Sequence, residues 1–133
     1  DEFDIFIKEI YREMTAKTGQ KCTAVRRILV PENKIDQVQK ALITKLEKTI
    51  IGNPENKDVR MGALASKIQV ERVKENVELL MENQEKVFDN SSNLNLVDAY
   101  EEKGAFFSRT IFFFDFIKLT TSFFYCVVSF SET

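Results

Sequence analysis

The sequence has no histidine, and this absence restricts its chemistry more than any other feature. Without histidine the chain has no Ser–His–Asp triad, no Cys–His pair and no histidine-containing metal site. Two cysteines without a Cys-x-x-Cys motif exclude a zinc ribbon and a disulfide-rich secreted scaffold. The four glycines form neither a phosphate loop nor a dinucleotide fingerprint. We therefore expect no metal site, and any phosphate-binding element to lie outside these residues.

The charge is nearly balanced, since 19 basic and 21 acidic residues give a net charge of −2. This balance gives no electrostatic footprint for nucleic acid. The longest uncharged run, residues 119–131, is shorter than the ~18 apolar residues that indicate a membrane span. No signal segment precedes it, so we expect a cytoplasmic protein with reduced thiols. Because the sequence starts Asp1-Glu2-Phe3, we expect a piece of a longer protein.

Hydrophobic periodicity indicates an α/β fold. With 133 residues, of which 44% are hydrophobic, the chain is expected to form one packed domain. Apolar residues recur at helical spacing, and short apolar runs rich in β-branched or aromatic residues are typical of strands. Strands separated by helices favour parallel pairing. The predicted helices cover residues 3–17, 35–50 and 66–81, and the predicted strands cover 24–30, 86–89 and 105–114.

Local signals mark the ends of the helices. Gly19 takes a left-handed conformation without steric cost, so Thr18-Gly19 is expected to end the first helix. Asn33 is the predicted N-cap of the second helix. Ser66 with Gln69 forms a candidate capping box for the third. The irregular connection 51–64 precedes this helix, whose expected apolar face contains Ile68, Val73, Val77, Leu80 and Met81.

Cys22 lies between the first predicted helix and the first predicted strand. A loop on a rigid scaffold can direct a side chain and free main-chain N–H groups towards a ligand. A thiolate is a strong nucleophile, and Lys21, Arg26 and Arg27 would favour that form. A lone cysteine is more often a small buried apolar residue, and pairing with Cys126 is a third reading. Position alone leaves these readings open.

The residues around Cys22 resemble a known family. The block 12–30, with Gly19-Gln20-Lys21-Cys22-Thr23 at its centre, resembles the nucleophile segment of the aldehyde dehydrogenase superfamily. Further blocks follow in the order of that family. They are Ile51-Gly52-Asn53-Pro54, Met61-Gly62-Ala63-Leu64 and a Gly-x-Phe entry at 104–110, where Arg109 replaces the usual proline.

The resemblance implies both a fold and a chemistry. The expected fold is an incomplete aldehyde dehydrogenase catalytic domain, a parallel-type sheet with flanking helices. Cys22 would be the nucleophile that attacks an aldehyde carbon, and its main-chain N–H would be an oxyanion donor. NAD or NADP would accept hydride and would be bound by a domain outside this chain. The parent protein would be a homo-oligomer.

The substrate class also follows from the resemblance. Residues 12–15 and 59–64 are similar to the bifunctional members of the superfamily that join an aldehyde dehydrogenase domain to an enoyl-CoA hydratase-like domain in phenylacetate degradation. The implied substrate is a small aldehyde, a semialdehyde linked to coenzyme A.

The sequence also departs from the family. The family's asparagine oxyanion donor, its general-base glutamate and its cofactor domain lie upstream of the nucleophile. Downstream, its Glu-x-Phe-Gly-Pro motif has no counterpart, since no glycine or proline follows Phe112. We therefore expect residues 1–114 to be a catalytic-domain fragment that is inactive alone. Residues 115–133 are expected to be an aberrant apolar tail that need not belong to the fold.

Two non-dehydrogenase readings remain open from the sequence. In the first, the chain is a non-catalytic α/β module whose apolar tail mediates oligomerisation or partner binding. In the second, Cys22 has a thiol-redox role, although no resolving cysteine lies nearby in the sequence.

Overall fold

Three α-helices lie in the described part of the chain. The computed structural model describes residues 1–83, 85–89, 94–115 and 123–127. Helix α1 spans Glu2–Thr15, α2 spans Ile35–Glu47 and α3 spans Lys67–Asn83. Single 3-10 turns follow α1 at Ala16–Gly19 and precede α2 at Glu32–Lys34. All three predicted helices are confirmed.

Six strands form two sheets in the described part of the chain. The larger sheet has the strand order β1-β6-β5-β3, and a two-stranded sheet joins β2 to β4. The strands are β1 (Arg27–Pro31), β2 (Ile51–Gly52), β3 (Glu85–Asp89), β4 (Leu96–Val97), β5 (Thr110–Asp115) and β6 (Phe123–Val127). The α/β class is confirmed.

Strand direction differs between the two sheets. The pair β2–β4 is parallel, as the fold prediction expects. All three pairs of the larger sheet run antiparallel, so a uniformly parallel sheet is not what the described residues form. Seven residues separate β5 from β6, which is fewer than the dozen or more that a parallel crossover needs. The short connection therefore explains the antiparallel direction of this pair.

The main core lies between the helices and the larger sheet. Helix α2 buries residues at a spacing of four, which places them on one face. Strand β1 alternates exposed and buried residues, so one of its faces packs on the helices. The fully or nearly fully buried members are Ile7, Ile10 and Met14 of α1, Val38, Leu42 and Leu46 of α2, Ile28 and Val30 of β1, and Ile111 of β5.

Helix α3 packs on a second, smaller core. Its buried residues are Val70 and Val73, which contact Leu64 and Ala105. The predicted apolar face is therefore wrong in part, since Ile68 is 67% exposed and Met81 is 49% exposed. Ile68 precedes Val70 by two positions, about 200° around a helix, so the two side chains cannot share a face.

Several element boundaries also differ from the prediction. Helix α1 ends at Thr15, before the predicted Thr18-Gly19. Lys34 is the N-cap of α2 without a side-chain bond, so the predicted Asn33 cap is wrong. Strand β5 begins only at Thr110, because the Ala105 carbonyl accepts from Leu64 N–H (2.7 Å) rather than from a strand.

The connection 51–64 contains a strand that the periodicity misses. Gly52 in β2 lies so close to β4 that an added Cβ would stand 1.9 Å from the Val97 carbonyl oxygen. Only glycine permits this approach. The Gly52 N–H donates to the Met61 carbonyl (3.0 Å), which draws the block around Gly62 towards the same sheet.

Parts of two segments lie outside the described residues. The connection between β3 and β4 is described only from Leu94 onward. Of the predicted tail 115–133, residues 116–122 and 128–133 lie outside the description, and β6 pairs with β1 and β5.

Candidate functional site

Cys22 lies on an exposed turn between α1 and β1. Its thiol is free and the residue is exposed, so burial as a small apolar residue does not apply. The Ala24 N–H donates to the Lys21 carbonyl (3.0 Å) and closes a turn with Cys22 and Thr23 at its centre. Central N–H groups of such a turn have no intra-turn partner. Within the described residues, the Cys22 N–H makes no hydrogen bond.

A left-handed backbone segment precedes this turn. Lys17 (φ 50°) and Thr18 (φ 57°) adopt positive φ, followed by Gly19 (φ 75°). For a non-glycine residue this conformation costs roughly 1–2 kcal/mol, and a β-branched residue such as threonine rarely adopts it. Gly19 takes the left-handed conformation as predicted, but the reversal of the chain begins two residues earlier.

Side-chain hydrogen bonds hold the strained segment in place. Thr18 is buried, and its hydroxyl donates to the Gly62 carbonyl (3.1 Å). The Gln20 side-chain carbonyl accepts from the Ala65 N–H (2.8 Å). These two bonds join the block around Cys22 to the block at 61–64, which are separate in the sequence. The amide role of Gln20 was not predicted, although Gly-Gln-x-Cys is part of the motif that marks the site.

A third bond joins the end of α1 to the same loop. The buried Thr15 hydroxyl donates to the Tyr11 carbonyl (2.8 Å) and accepts from Arg60 Nε (2.9 Å). Thr15 thus ends the helix and fixes the start of the 60–65 segment. The Cys22 turn is therefore supported from both sides, by α1 and by residues 60–65.

Lys21, next to Cys22, is bound by an acidic residue of α1. Its ammonium contacts both carboxylate oxygens of Glu13, at 2.9 and 2.8 Å. The hydrogen bond from Lys21 holds the pKa of Glu13 below its ordinary value. The Lys21 ammonium is thus paired with Glu13. This pairing restricts the role that the sequence suggested for Lys21, which was to favour the thiolate form of Cys22. Glu13 is a residue that the sequence analysis did not identify.

Arg109, at the position where the family usually has proline, is buried with 3% exposure. Its Nη1 donates to the carbonyls of Leu46 and Thr49, at 2.5 Å each, at the C-terminal end of α2. Burial lowers the pKa of Arg109. Arg109, in place of the usual proline, therefore caps the C-terminal end of α2 with a cation. It does not take part in the Cys22 turn.

No group of three or more cysteine, aspartate or glutamate side chains stands close enough to hold a metal ion in the described residues. Among those residues, no helix has the length and apolar character needed to cross a bilayer.

Comparisons with known proteins identify the family of the chain. Residues 2–114 match the model of the family described as "Aldehyde dehydrogenase family". The chain is 42% identical to 3,4-dehydroadipyl-CoA semialdehyde dehydrogenase of Aromatoleum evansii over 114 residues, which cover 86% of this chain and 22% of that protein. It is 34% identical to 3-succinoylsemialdehyde-pyridine dehydrogenase of a Pseudomonas species over 74 residues, covering 56% of this chain and 16% of that protein.

A more distant relative is 1-pyrroline-5-carboxylate dehydrogenase of Oceanobacillus iheyensis, 26% identical over 84% of this chain and 20% of that protein. The chain thus spans about a fifth of the length of the curated relatives it matches. The family match covers the Cys22 turn, the 60–65 loop and both helices of the main core. The chain belongs to the aldehyde dehydrogenase family.

Proposed function

We propose that this chain is the nucleophile-bearing segment of an NAD(P)-dependent aldehyde dehydrogenase, with Cys22 as the catalytic nucleophile. The observation that carries the proposal is the Cys22 turn, which presents an exposed thiol beside a main-chain N–H without a partner in the described residues. Membership of the family supports the reaction class.

The reaction splits one difficult oxidation into two easier steps. The Cys22 thiolate forms a C–S bond to the aldehyde carbon, and the carbonyl oxygen takes up the negative charge. The carbon of this thiohemiacetal then loses hydride, which leaves a thioester. Water attacks the thioester, releases the carboxylic acid and restores the thiol. A bound nicotinamide cofactor supplies the hydride acceptor, NAD or NADP, and we assign its binding to residues outside this chain.

The Cys22 N–H is suited to stabilise the oxyanion of both steps. A donor that is already free of other hydrogen bonds needs no reorganisation when charge develops on the substrate oxygen. Loss of one oxyanion donor typically costs about 10²–10³ in rate. The supports at Thr18 and Gln20 would keep this N–H and the thiol in a fixed relation.

The substrate proposal is a semialdehyde linked to coenzyme A, of the kind formed in phenylacetate degradation. The name of the relative from Aromatoleum evansii, a CoA semialdehyde dehydrogenase, supports this class. We further propose a cytoplasmic, homo-oligomeric parent protein. Residues 1–114 would be the catalytic-domain segment, and the end of the family match at residue 114 supports this boundary.

The experiment compares Cys22→Ser with Cys126→Ser in a protein that carries this segment within a complete aldehyde dehydrogenase domain. We expect Cys22→Ser to lower turnover at least about a thousandfold, because removal of a nucleophile removes the covalent step. Cys126→Ser is the matched control and should retain activity. NAD(P)H formation gives the rate, and mass spectrometry under substrate excess detects the acyl adduct on residue 22. Turnover and adduct unchanged in the folded Cys22→Ser variant would reject the assignment.

A further inference from the structure

The guanidinium of Arg109 has unused hydrogen-bonding capacity in a buried position. Nη1 donates to two carbonyls, but Nε is buried with no partner. No carboxylate stands within 4 Å of this guanidinium in the described residues, and no bond to Nη2 occurs there. The edge formed by Nε and Nη2 is the one that binds carboxylate or phosphate oxygens in a fork.

The two carbonyls offset only part of the charge. They belong to the C-terminal end of α2, where the helix dipole is equivalent to roughly half a negative charge. A buried cation without a counterion is strongly destabilising, and an anion beside it would remove that cost. The position of Arg109 therefore calls for a negative group on its remaining edge.

A cavity of about 210 Å³ lies at this position, and Arg109 is part of its lining. That volume is several times the ~30 Å³ that one water molecule occupies in the liquid. A small oxyanion therefore fits. Two further residues with donor side chains are part of the lining, Lys48 and Asn95, and neither side chain has a partner in the described residues. Thr49 also lines it, but its hydroxyl is already bonded to Lys45 and Tyr11.

The acidic residue of the lining does not neutralise these donors. Glu47 is exposed and makes no ion pair within the described residues. The lining thus includes three residues with donor side chains, two of them cationic, and one acidic residue that forms no ion pair with them in the described part of the chain. This imbalance favours an anionic ligand over a cationic one.

We propose that this cavity binds a small oxyanion, a carboxylate or a phosphate group, held by Arg109, whose Nε has no other partner, together with Lys48 and Asn95. The site is separate from the Cys22 turn and does not depend on the proposed function. Its ligand is recognised by the oxygen fork that carboxylate and phosphate share.

The test measures thermal unfolding of the 133-residue chain in sodium chloride, sodium acetate and sodium phosphate at equal ionic strength. We expect acetate or phosphate to raise the midpoint above its value in chloride, by about 4 °C at a concentration ten times the dissociation constant. Arg109→Met, which keeps the aliphatic stem, should abolish the difference between anions. Lys40→Met removes an equal charge from an exposed position of α2 and should leave it intact.

Calorimetric titration keeps the proposal testable if Arg109→Met does not fold. Lys48→Met and Asn95→Ala change the rim of the cavity only, and each should weaken acetate or phosphate binding at least about tenfold, the loss of one charge-assisted hydrogen bond. Equal midpoints for the original chain in all three salts would overturn the proposal. The same shift in Arg109→Met would also overturn it, since the anions would then act through general salt effects.

Discussion

At the scale of single residues, the Cys22 turn depends on a few contacts made by its neighbours. Lys21 and Glu13 form a close pair on one side, while Thr18 and Gln20 bond to the 60–65 loop on the other. None of these bonds is made to the Cys22 sulfur. The contacts that hold the Cys22 turn thus come from residues spread over about fifty positions of sequence.

The Glu13–Lys21 pair makes the stability of the fold depend on pH, with a definite sign. Because the folded-state pKa of Glu13 lies below its unfolded value of about 4.5, the pair stabilises the fold above that pH. The contribution is lost as the pH falls through the folded pKa. We expect Glu13→Gln to reduce the drop in unfolding midpoint between pH 6 and pH 3, measured by circular dichroism. Lys21→Met should reduce it similarly, and Glu78→Gln, on an exposed position of α3, should not. An unchanged drop in the first two variants would contradict the pair's role.

At the scale of elements, α2 contacts both α1, which leads to the Cys22 turn, and Arg109, which lines the proposed anion cavity. One face packs on α1 through Val38, Leu42 and Leu46, and its C-terminal carbonyls receive Arg109. Helix α1 ends just before the segment that contains Cys22. The position of the Cys22 turn thus depends on the packing of α1 against α2.

Leu42→Ala tests this packing. Leu42 is fully buried, so its truncation should lower the free energy of unfolding by about 2–5 kcal/mol through lost burial and a residual cavity. Lys40→Ala, two positions away and exposed, should change it by less than about 0.5 kcal/mol. Urea unfolding of both variants gives the comparison. Equal losses would mean that the α1–α2 contact does not carry the stability of the fold.

At the scale of the whole molecule, the proposed boundary near residue 114 meets a sheet that extends beyond it. Strand β6 lies between β1 and β5 in the strand order, so it is not an edge strand. Free edges, rather than central strands, are available for adding a partner. This position disfavours the alternative in which the tail serves as a strand for oligomerisation, since β6 already pairs on both sides.

Deletion from Asp115 onward tests the boundary. The buried residues that α1, β1 and α2 contribute to the main core all lie between Ile7 and Leu46, far from the deleted segment in sequence. Under the proposed boundary, we expect the truncated chain to retain its helical circular dichroism and a cooperative unfolding transition, even though β1 loses its pairing with β6. Loss of the transition would show that residues 115–133 are part of the fold and would overturn the boundary. Truncation after Asn83 serves as the control. It should lose the unfolding transition, because it also removes Ile111 of the main core and Arg109.

The amino-acid sequence by itself determined the order of the main helices and strands, because apolar spacing reports which face of an element is buried. It also determined the family, through a local motif between a helix and a strand, whereas the exposure of Cys22 is a finding of the structure. Only the tertiary structure decided the antiparallel pairs, the exposure of Ile68 and the burial of Arg109. It alone joined Glu13 to Lys21 and Thr18 to Gly62. These features depend on contacts between residues far apart in the chain, and hydrophobic periodicity carries no information about such contacts.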